Sequence, residues 1–256
     1  YAMYRVVRIY AFEQEEYVRS LATASQDYID VAGLHQLNQI QSVEVIARQI
    51  IPGTNGNVDV VARVRNPNTK WALKSFTYRF GVGSAILEEE TSFLLPGEEK
   101  FLMALNVKAS SAGTPQVLVD NEQWQRVIQY ETWGPDRVAF TVTEKAFTPA
   151  RQGEISDQLQ LSEVTAKLTN STAYNYNELE VQVALYSGTR LAAVNRVTLP
   201  DVRSGETRQI AARFFGILPS VSSVELIPTV NILDQASYRD FEGEFDPAFL
   251  EIEKRF

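Results

Sequence analysis

The sequence predicts an all-β protein: two tandem antiparallel β-sandwiches preceded by a mainly helical N-terminal segment. Three observations lead there. First, VDVVARVRNPN (58–68) is echoed by EVTAKLTNS (163–171), so that Val60, Ala62, Val64 and Asn66 fall on Val164, Ala166, Leu168 and Asn170. Second, the register persists downstream. Each asparagine is followed by an alternating run, SFTYRF (75–80) and LEVQVALY (179–186), then by a Gly-Glu turn, LLPGEEK (94–100) and VRSGETR (202–208), then by FLMALNV (101–107) and QIAARFF (209–215). A period of roughly a hundred residues describes two copies of one domain, not a solenoid of short units. Third, the apolar residues alternate with polar ones in short runs bounded by Gly, Pro and Asn, as half-buried strands require.

Residues 1–41 read as helical. Val7, Ala11, Val18 and Leu21 recur at helical spacings, and no Gly or Pro occurs before Gly33. The opening YAMYRVVRIYAF (1–12) is apolar and aromatic, carries Arg5 and Arg8, and gives way to acidic EQEE (13–16). It has two readings: the flank of a membrane helix lying upstream of Tyr1, with tyrosines at the interface and snorkelling arginines, or an amphipathic helix packed on the protein's own surface. No run in the chain approaches the ~18 apolar residues that span a bilayer.

The first sandwich is expected over 42–130. SVEVIARQIIP (42–52) alternates as a strand and ends in a turn cluster, Pro52, Gly53, Asn55 and Gly56. Val58, Val60, Ala62 and Val64 share one face of the next strand, and Asn66-Pro67-Asn68 stops it. Phe76, Tyr78 and Phe80, then Phe93 and Leu95, then Phe101, Met103 and Leu105 continue the pattern, and QVLVDNEQWQRVI (116–128) closes the unit. ETWGPD (131–136) is the expected linker, because Gly134-Pro135 interrupts two strand-like stretches. The second sandwich runs over 137–235. Its size and short alternating strands are of the immunoglobulin or fibronectin-III-like kind, without the Cys…Trp…Cys spacing of antibody domains. The tail, 236–256, belongs to neither copy. Asp246-Pro247 reads as a helix start, and Phe241, Phe245, Phe249, Ile252 and Phe256 form an interaction tail that must cover either a sandwich of the same chain or a neighbouring molecule, the expected role being an assembly or partner contact.

Within the second unit, Leu185-Tyr186 and Gly205-Glu206 resemble the FxLYD and late-embryogenesis-abundant-14 (water-stress, WHy-type) group of β-sandwich domains. Asn66-Pro67-Asn68 and Pro96-Gly97-Glu98 match the same pattern in the first unit. Asn170 is followed by Ser171 instead of proline, and Tyr78-Arg79-Phe80 replaces Leu-Tyr. The resemblance covers about 42–130 and 137–235. It implies a non-enzymatic domain, often held outside the cytoplasmic membrane by a single anchor helix.

Composition narrows the chemistry. The 256 residues are 45% hydrophobic, enough for a core in each unit, and they include no cysteine, which removes disulfides, zinc–thiolate sites and cysteine nucleophiles. Thirty-two acidic against 24 basic residues give a formal charge of −8, which repels a phosphate backbone, so no nucleic-acid partner is expected. The single histidine, His35, has no serine motif beside it, and Gly81-Val82-Gly83 lacks the rest of a phosphate loop. Glu88-Glu89-Glu90 reads as a solvated loop. Asp240, Glu242, Glu244 and Asp246 have period-two spacing that suits either a calcium ion or a solvated acidic edge between Phe241 and Phe245, and the latter is favoured. Asn170-Ser171-Thr172 is formally a glycosylation sequon at a position where the repeat demands a turn. In the loop NSTAYNYNE (170–178), Tyr174, Asn175 and Tyr176 are the candidate binding residues, the alternative being a polar connection with one tyrosine folded inward. Trp71, Trp124 and Trp133 offer a sugar platform or ordinary packing, and their scatter favours packing.

The functional expectation is a non-catalytic structural or interaction protein of the cell envelope, extracytoplasmic and membrane-anchored, without cofactor. Its partners are other proteins or further copies of itself, with the membrane engaged through a segment upstream of Tyr1. A subunit of an extracellular filament or array and a carbohydrate-binding module are the alternatives.

Overall fold

The computed structural model describes residues 39–150, 161–216 and 218–239. The chain divides into two compact units, Tyr1–Ile40 and Gln41–Phe256, and every described strand lies in the second. The helical reading of 1–41 falls almost wholly outside the described residues. So do His35, the acidic group Asp240, Glu242, Glu244 and Asp246, and the apolar set Phe241, Phe245, Phe249, Ile252 and Phe256.

The described residues are mostly β, in several antiparallel sheets. In the first half β1 (Glu44–Pro52), β2 (Val58–Arg65) and β6 (Glu99–Val107) pair in the order β1-β2-β6. A second sheet is centred on β3 (Trp71–Val82), which pairs with β4 (Ala85–Ile86), β5 (Glu90–Leu94) and β7 (Gln116–Arg126). In the second half β8 (Phe140–Thr148), β9 (Leu161–Asn170) and β12 (Thr207–Phe215) pair in the order β12-β9-β8. There β10 (Tyr176–Ser187), β11 (Arg190–Val202) and β13 (Ser223–Thr229) pair in the order β11-β10-β13. The connection from β1 to β2 is a tight turn through Asn55 and Gly56, at φ 56° and 76°. Positive φ at both central residues matches the twist of a hairpin, and it is why Asn-Gly stands there.

The sequence repeat is a structural register. Val60, Ala62 and Val64 pair with Ala104, Leu102 and Lys100, while Val164, Ala166 and Leu168 pair with Ala212, Ile210 and Arg208. Each set is buried between two sheet layers. In the first half Val58, Val60, Ala62 and Val64 share a core with Leu73, Phe76, Tyr78 and Phe80 from β3. In the second, Val164, Ala166 and Leu168 share one with Leu179, Val181, Val183 and Leu185 from β10.

Residues 131–136 fall inside a short helix, α1 (Tyr130–Arg137), not in an extended joint. The packing explains this. The Tyr130 ring lies against Gly134, where an added Cβ would come within 2.4 Å of it, and Trp133 meets Tyr130 edge to face at 5.5 Å. Glycine is therefore required by close approach rather than by flexibility.

The two halves also meet face to face. Ile51, Val61, Phe101 and Met103, on the outward side of β1-β2-β6, form one buried cluster with Ala184 and Val194 on the outward side of β10 and β11. β6 is an edge strand, and its open side is closed by a side chain. The Gln182 amide accepts from Phe101 N–H and donates to Phe101 C=O, both at 2.8 Å, as a neighbouring strand would. Arg63 bonds Glu99 at 3.1 Å and forks onto Glu225 with two contacts of 3.2 Å. Arg196 likewise takes Glu90 with two contacts, 2.8 and 3.3 Å, while Tyr78 donates its hydroxyl to the same carboxylate.

Leu168 is wholly buried. Leu168→Ala should cost about 2–5 kcal/mol in denaturant unfolding, and a near-neutral result would refute the alignment of the halves.

Candidate functional site

The loop that carries Tyr174, Asn175 and Tyr176 begins at a buried amide. Asn170 ends β9 and donates its side-chain N–H groups to the carbonyls of Tyr174 (2.9 Å) and Arg203 (3.0 Å). Its Oδ1 accepts from the N–H and the hydroxyl of Thr172 at 3.0 and 2.8 Å. Asn66 does the same in the first half, donating to the carbonyls of Trp71 (2.7 Å) and Leu95 (3.0 Å) and accepting from Asn68 N–H at 3.0 Å. With Asn170 fully buried and these bonds made, the sequon at 170–172 is structural: no glycan fits on that amide.

From this anchor the three candidate residues diverge. Tyr176 is fully buried and donates its hydroxyl to Arg137 C=O at 2.5 Å. Burial raises its phenol to about 12, and its ring packs at a tilt against Phe140 (5.7 Å) and Tyr238 (5.5 Å). It is the tyrosine folded inward. Asn175 is half-buried, its Oδ1 accepting from Ser204 N–H at 2.8 Å and its carbonyl from Arg239 N–H at 3.0 Å. Tyr174 is half-buried and forms one wall of an aromatic cluster around Arg137. That guanidinium lies over the rings of Trp133 at 4.8 Å, Tyr174 at 4.9 Å and Tyr238 at 6.0 Å. Trp133 is held in turn by its indole N–H on Ile128 C=O at 3.0 Å. The structure thus keeps Tyr174 at the surface, places Tyr176 beneath it, and adds Arg137, Trp133 and Tyr238, which come from α1 and from the segment after β13. Only a contact of long sequence separation joins them.

Other chemistry-bearing groups are bound into the seam. Glu90, expected in a solvated run, is the carboxylate shared by Arg196 and Tyr78. Glu98 turns its carboxylate inward, accepting from Leu95 N–H at 2.6 Å and Thr229 hydroxyl at 3.3 Å, and burial pushes its pKa up against the opposing pull of Lys100. Lys100 is buried with its ammonium 3.5 Å from the centre of the Phe93 ring, and burial lowers its pKa while Glu98 and Glu180 support the charge. Trp124 packs on the first core and donates to Glu122 at 2.8 Å. Among the described residues no group of three or more His, Cys, Asp or Glu side chains is placed to hold a metal ion. No known protein family matches the chain, and no curated protein sequence does.

Asn170→Ala removes one donor from each of two partly buried carbonyls and the acceptor of Thr172 N–H, and should cost about 1–3 kcal/mol. Asn66→Ala should cost a similar amount, and urea midpoints of the two variants check the equivalence.

Lys100→Met removes the cation from beside the inward-turned Glu98. Since the folded pKa of Glu98 already lies above the ordinary 4.5, ionisation disfavours the folded state. The destabilisation should therefore be largest near neutral pH and shrink as pH falls through the raised pKa of Glu98, where the protonated carboxyl needs no counter-charge. Thermal melts of wild type and Lys100→Met across this window test it. A deficit that grows towards acid would contradict the assignment.

Proposed function

We propose that this chain is a non-catalytic structural and interaction protein of the cell envelope, in which two tandem immunoglobulin or fibronectin-III-like β-sandwiches act as one rigid spacer outside the membrane. The observation that carries the reading is the buried seam. Ile51, Val61, Phe101 and Met103 are committed to packing on the second half, and Gln182 closes the edge of β6. Flexible tandem domains meet through small polar interfaces. Here apolar side chains, two forked arginine pairs and an amide clamp hold one relative orientation. The FxLYD-like residues Leu185, Tyr186, Gly205 and Glu206 and the arginine-bearing aromatic opening support an extracytoplasmic, anchored setting. Among the described residues no helix is long and apolar enough to cross a membrane, so the anchor of this proposal lies outside them.

The seam also favours a single pair over a repeating array. It joins unlike surfaces, the outward face of β1-β2-β6 on the outward face of β11-β10-β13, and such a contact can repeat without end. The positions in the second half equivalent to Val61, Phe101 and Met103 are Thr165, Gln209 and Ala211, and the last two are exposed. The outward side of β3 carries Thr77 and Arg79, bonded to Asn121 and Asp120. Polar outer faces of this kind end a stack.

Residual dipolar couplings measured on the full chain should fit one alignment tensor for both halves, and Met103→Asp should split it into two. Two tensors in the wild type would sink the spacer reading. Fractionation of native cells should place the chain with the envelope, and recovery in the cytosol would remove that part of the proposal.

A further inference from the structure

Among the described residues, the aromatic cluster around Arg137 holds a cation without a matching anion. Its guanidinium bonds a phenol, Tyr238 Oη at 3.3 Å, and lies over three rings, while no carboxylate among the described residues forms an ion pair with it. Beside it Ile128 is 75% exposed, the most exposed large hydrophobic of the described residues, with Trp133 bonded to its carbonyl. A surface patch results, cationic at Arg137 and apolar towards Ile128. Its chemistry suits a segment that carries both carboxylates and aromatic rings.

The chain delivers such a segment to the rim. Arg239 donates its N–H to Asn175 C=O at 3.0 Å and pairs with Asp201 at 2.5 Å, which fixes the backbone beside Tyr174, and Tyr238 is itself part of the patch. The next residues, 240–256, hold six acidic against two basic side chains, with Phe241, Phe245, Phe249, Ile252 and Phe256 between them. At about 3.3–3.6 Å per residue, six extended residues cover roughly 20 Å, enough to pass from Tyr238 over Arg137 and Trp133 to Ile128, neighbours at 6.0, 4.8 and 3.0 Å in turn. Attachment this short gives an effective concentration of order millimolar, so a weak contact fills in cis, whereas a second copy at micromolar concentration needs a contact about a thousandfold tighter. We propose that the patch formed by Ile128, Trp133, Arg137, Tyr174 and Tyr238 is the seat of the chain's own 240–256 segment, its carboxylates on Arg137 and its rings on Ile128 and Trp133.

The test uses the full chain with the photoreactive residue p-benzoylphenylalanine in place of Ile128, whose exposure tolerates it. Equal amounts of unlabelled and nitrogen-15-labelled protein are irradiated together at low micromolar concentration, and the cross-linked peptides are sequenced. Links should run from position 128 to 240–256 within one chain, without isotope mixing. Their yield should fall about two- to fivefold, the scale of an exposed ion pair, in Arg137→Gln and in the triple variant Asp240→Asn, Glu242→Gln, Glu244→Gln. The triple variant alters no residue of the described fold, so it separates docking from any packing defect of Arg137→Gln. Isotope-mixed links would assign the patch to a second copy and overturn the cis seat. Links confined to other segments, or a yield unchanged in the triple variant, would overturn it as well.

Discussion

Each half of this protein depends on one buried amide. Where β2 and β9 end, the chain must leave one sheet and cross to the other, and at that point its backbone groups lose their ladder partners. Asn66 and Asn170 meet the need from inside. Each clamps the outgoing loop and the returning Gly-Glu turn at once, through the carbonyls of Trp71 and Leu95 in one half and of Tyr174 and Arg203 in the other. The turn is closed reciprocally by its glutamate, since Glu98 accepts from Leu95 N–H and Glu206 from Arg203 N–H. Crossing and return are thus held by the same asparagine, and the separation of the two layers follows from it. An aspartate there would lose the donors, and a serine would lose the reach.

The seam uses a different balance. Its centre is apolar and its borders are charged, with Lys100 buried and Glu98 and Glu180 beside it. Buried charges of this kind seldom add net stability over apolar replacements of the same shape, but they penalise any docking in which they lose their partners. Glu98 links the two devices. One oxygen closes the turn of its own half, and the other accepts from Thr229 of the second. The clasp of the first half is therefore part of the contact between halves, whereas the corresponding Glu206 spends its carboxylate on Arg208, 2.6 Å away in its own half.

Much of this is legible in the sequence, and the missing parts have physical causes. Alternation places β2, β9 and their partners because one face of each is core, and the repeated asparagine marks the crossings. The seam is written too, in FLMAL at 101–105 against QIAAR at 209–213. An unbroken apolar run belongs to a strand covered on both faces, an alternating one to a strand with a wet face. No local pattern reveals which surface does the covering. The helix at Tyr130–Arg137 is hidden for another reason. Gly134 and Pro135 read as a break, yet the glycine serves the Tyr130 ring, a constraint carried by packing. In the loop, chemistry alone singles out both Tyr174 and Tyr176. Their opposite fates are set by long-range packing: Tyr176 opens β10 and is buried beside Phe140, whereas Tyr174 precedes that strand and lies against the Arg137 guanidinium. Arg137, which organises the cluster, escapes a local reading because it approaches from another element.

The remaining edges bear on how molecules of this kind can meet. A flat, unpaired strand invites another chain to add to it, and three free edges here are blunted in different ways. On β6 the side chain of Gln182 occupies the place of an incoming strand. On β7 the pairing with β3 is irregular between Ser75 and Thr77, where Asn121 adopts φ 55°. On β8 it is irregular between Thr143 and Ala146, where Glu144 adopts φ 51° and Lys145 is exposed. Such bulges twist the hydrogen-bonding groups out of line, and a charge beside them raises the cost of pairing further. Strand addition at β6, β7 or β8 is therefore opposed by the geometry. At these three edges, recognition by side chains rather than by an added strand is the mode of contact the geometry favours, whereas the edges at β1 and β12 keep Val45, Ile46 and Phe215 exposed.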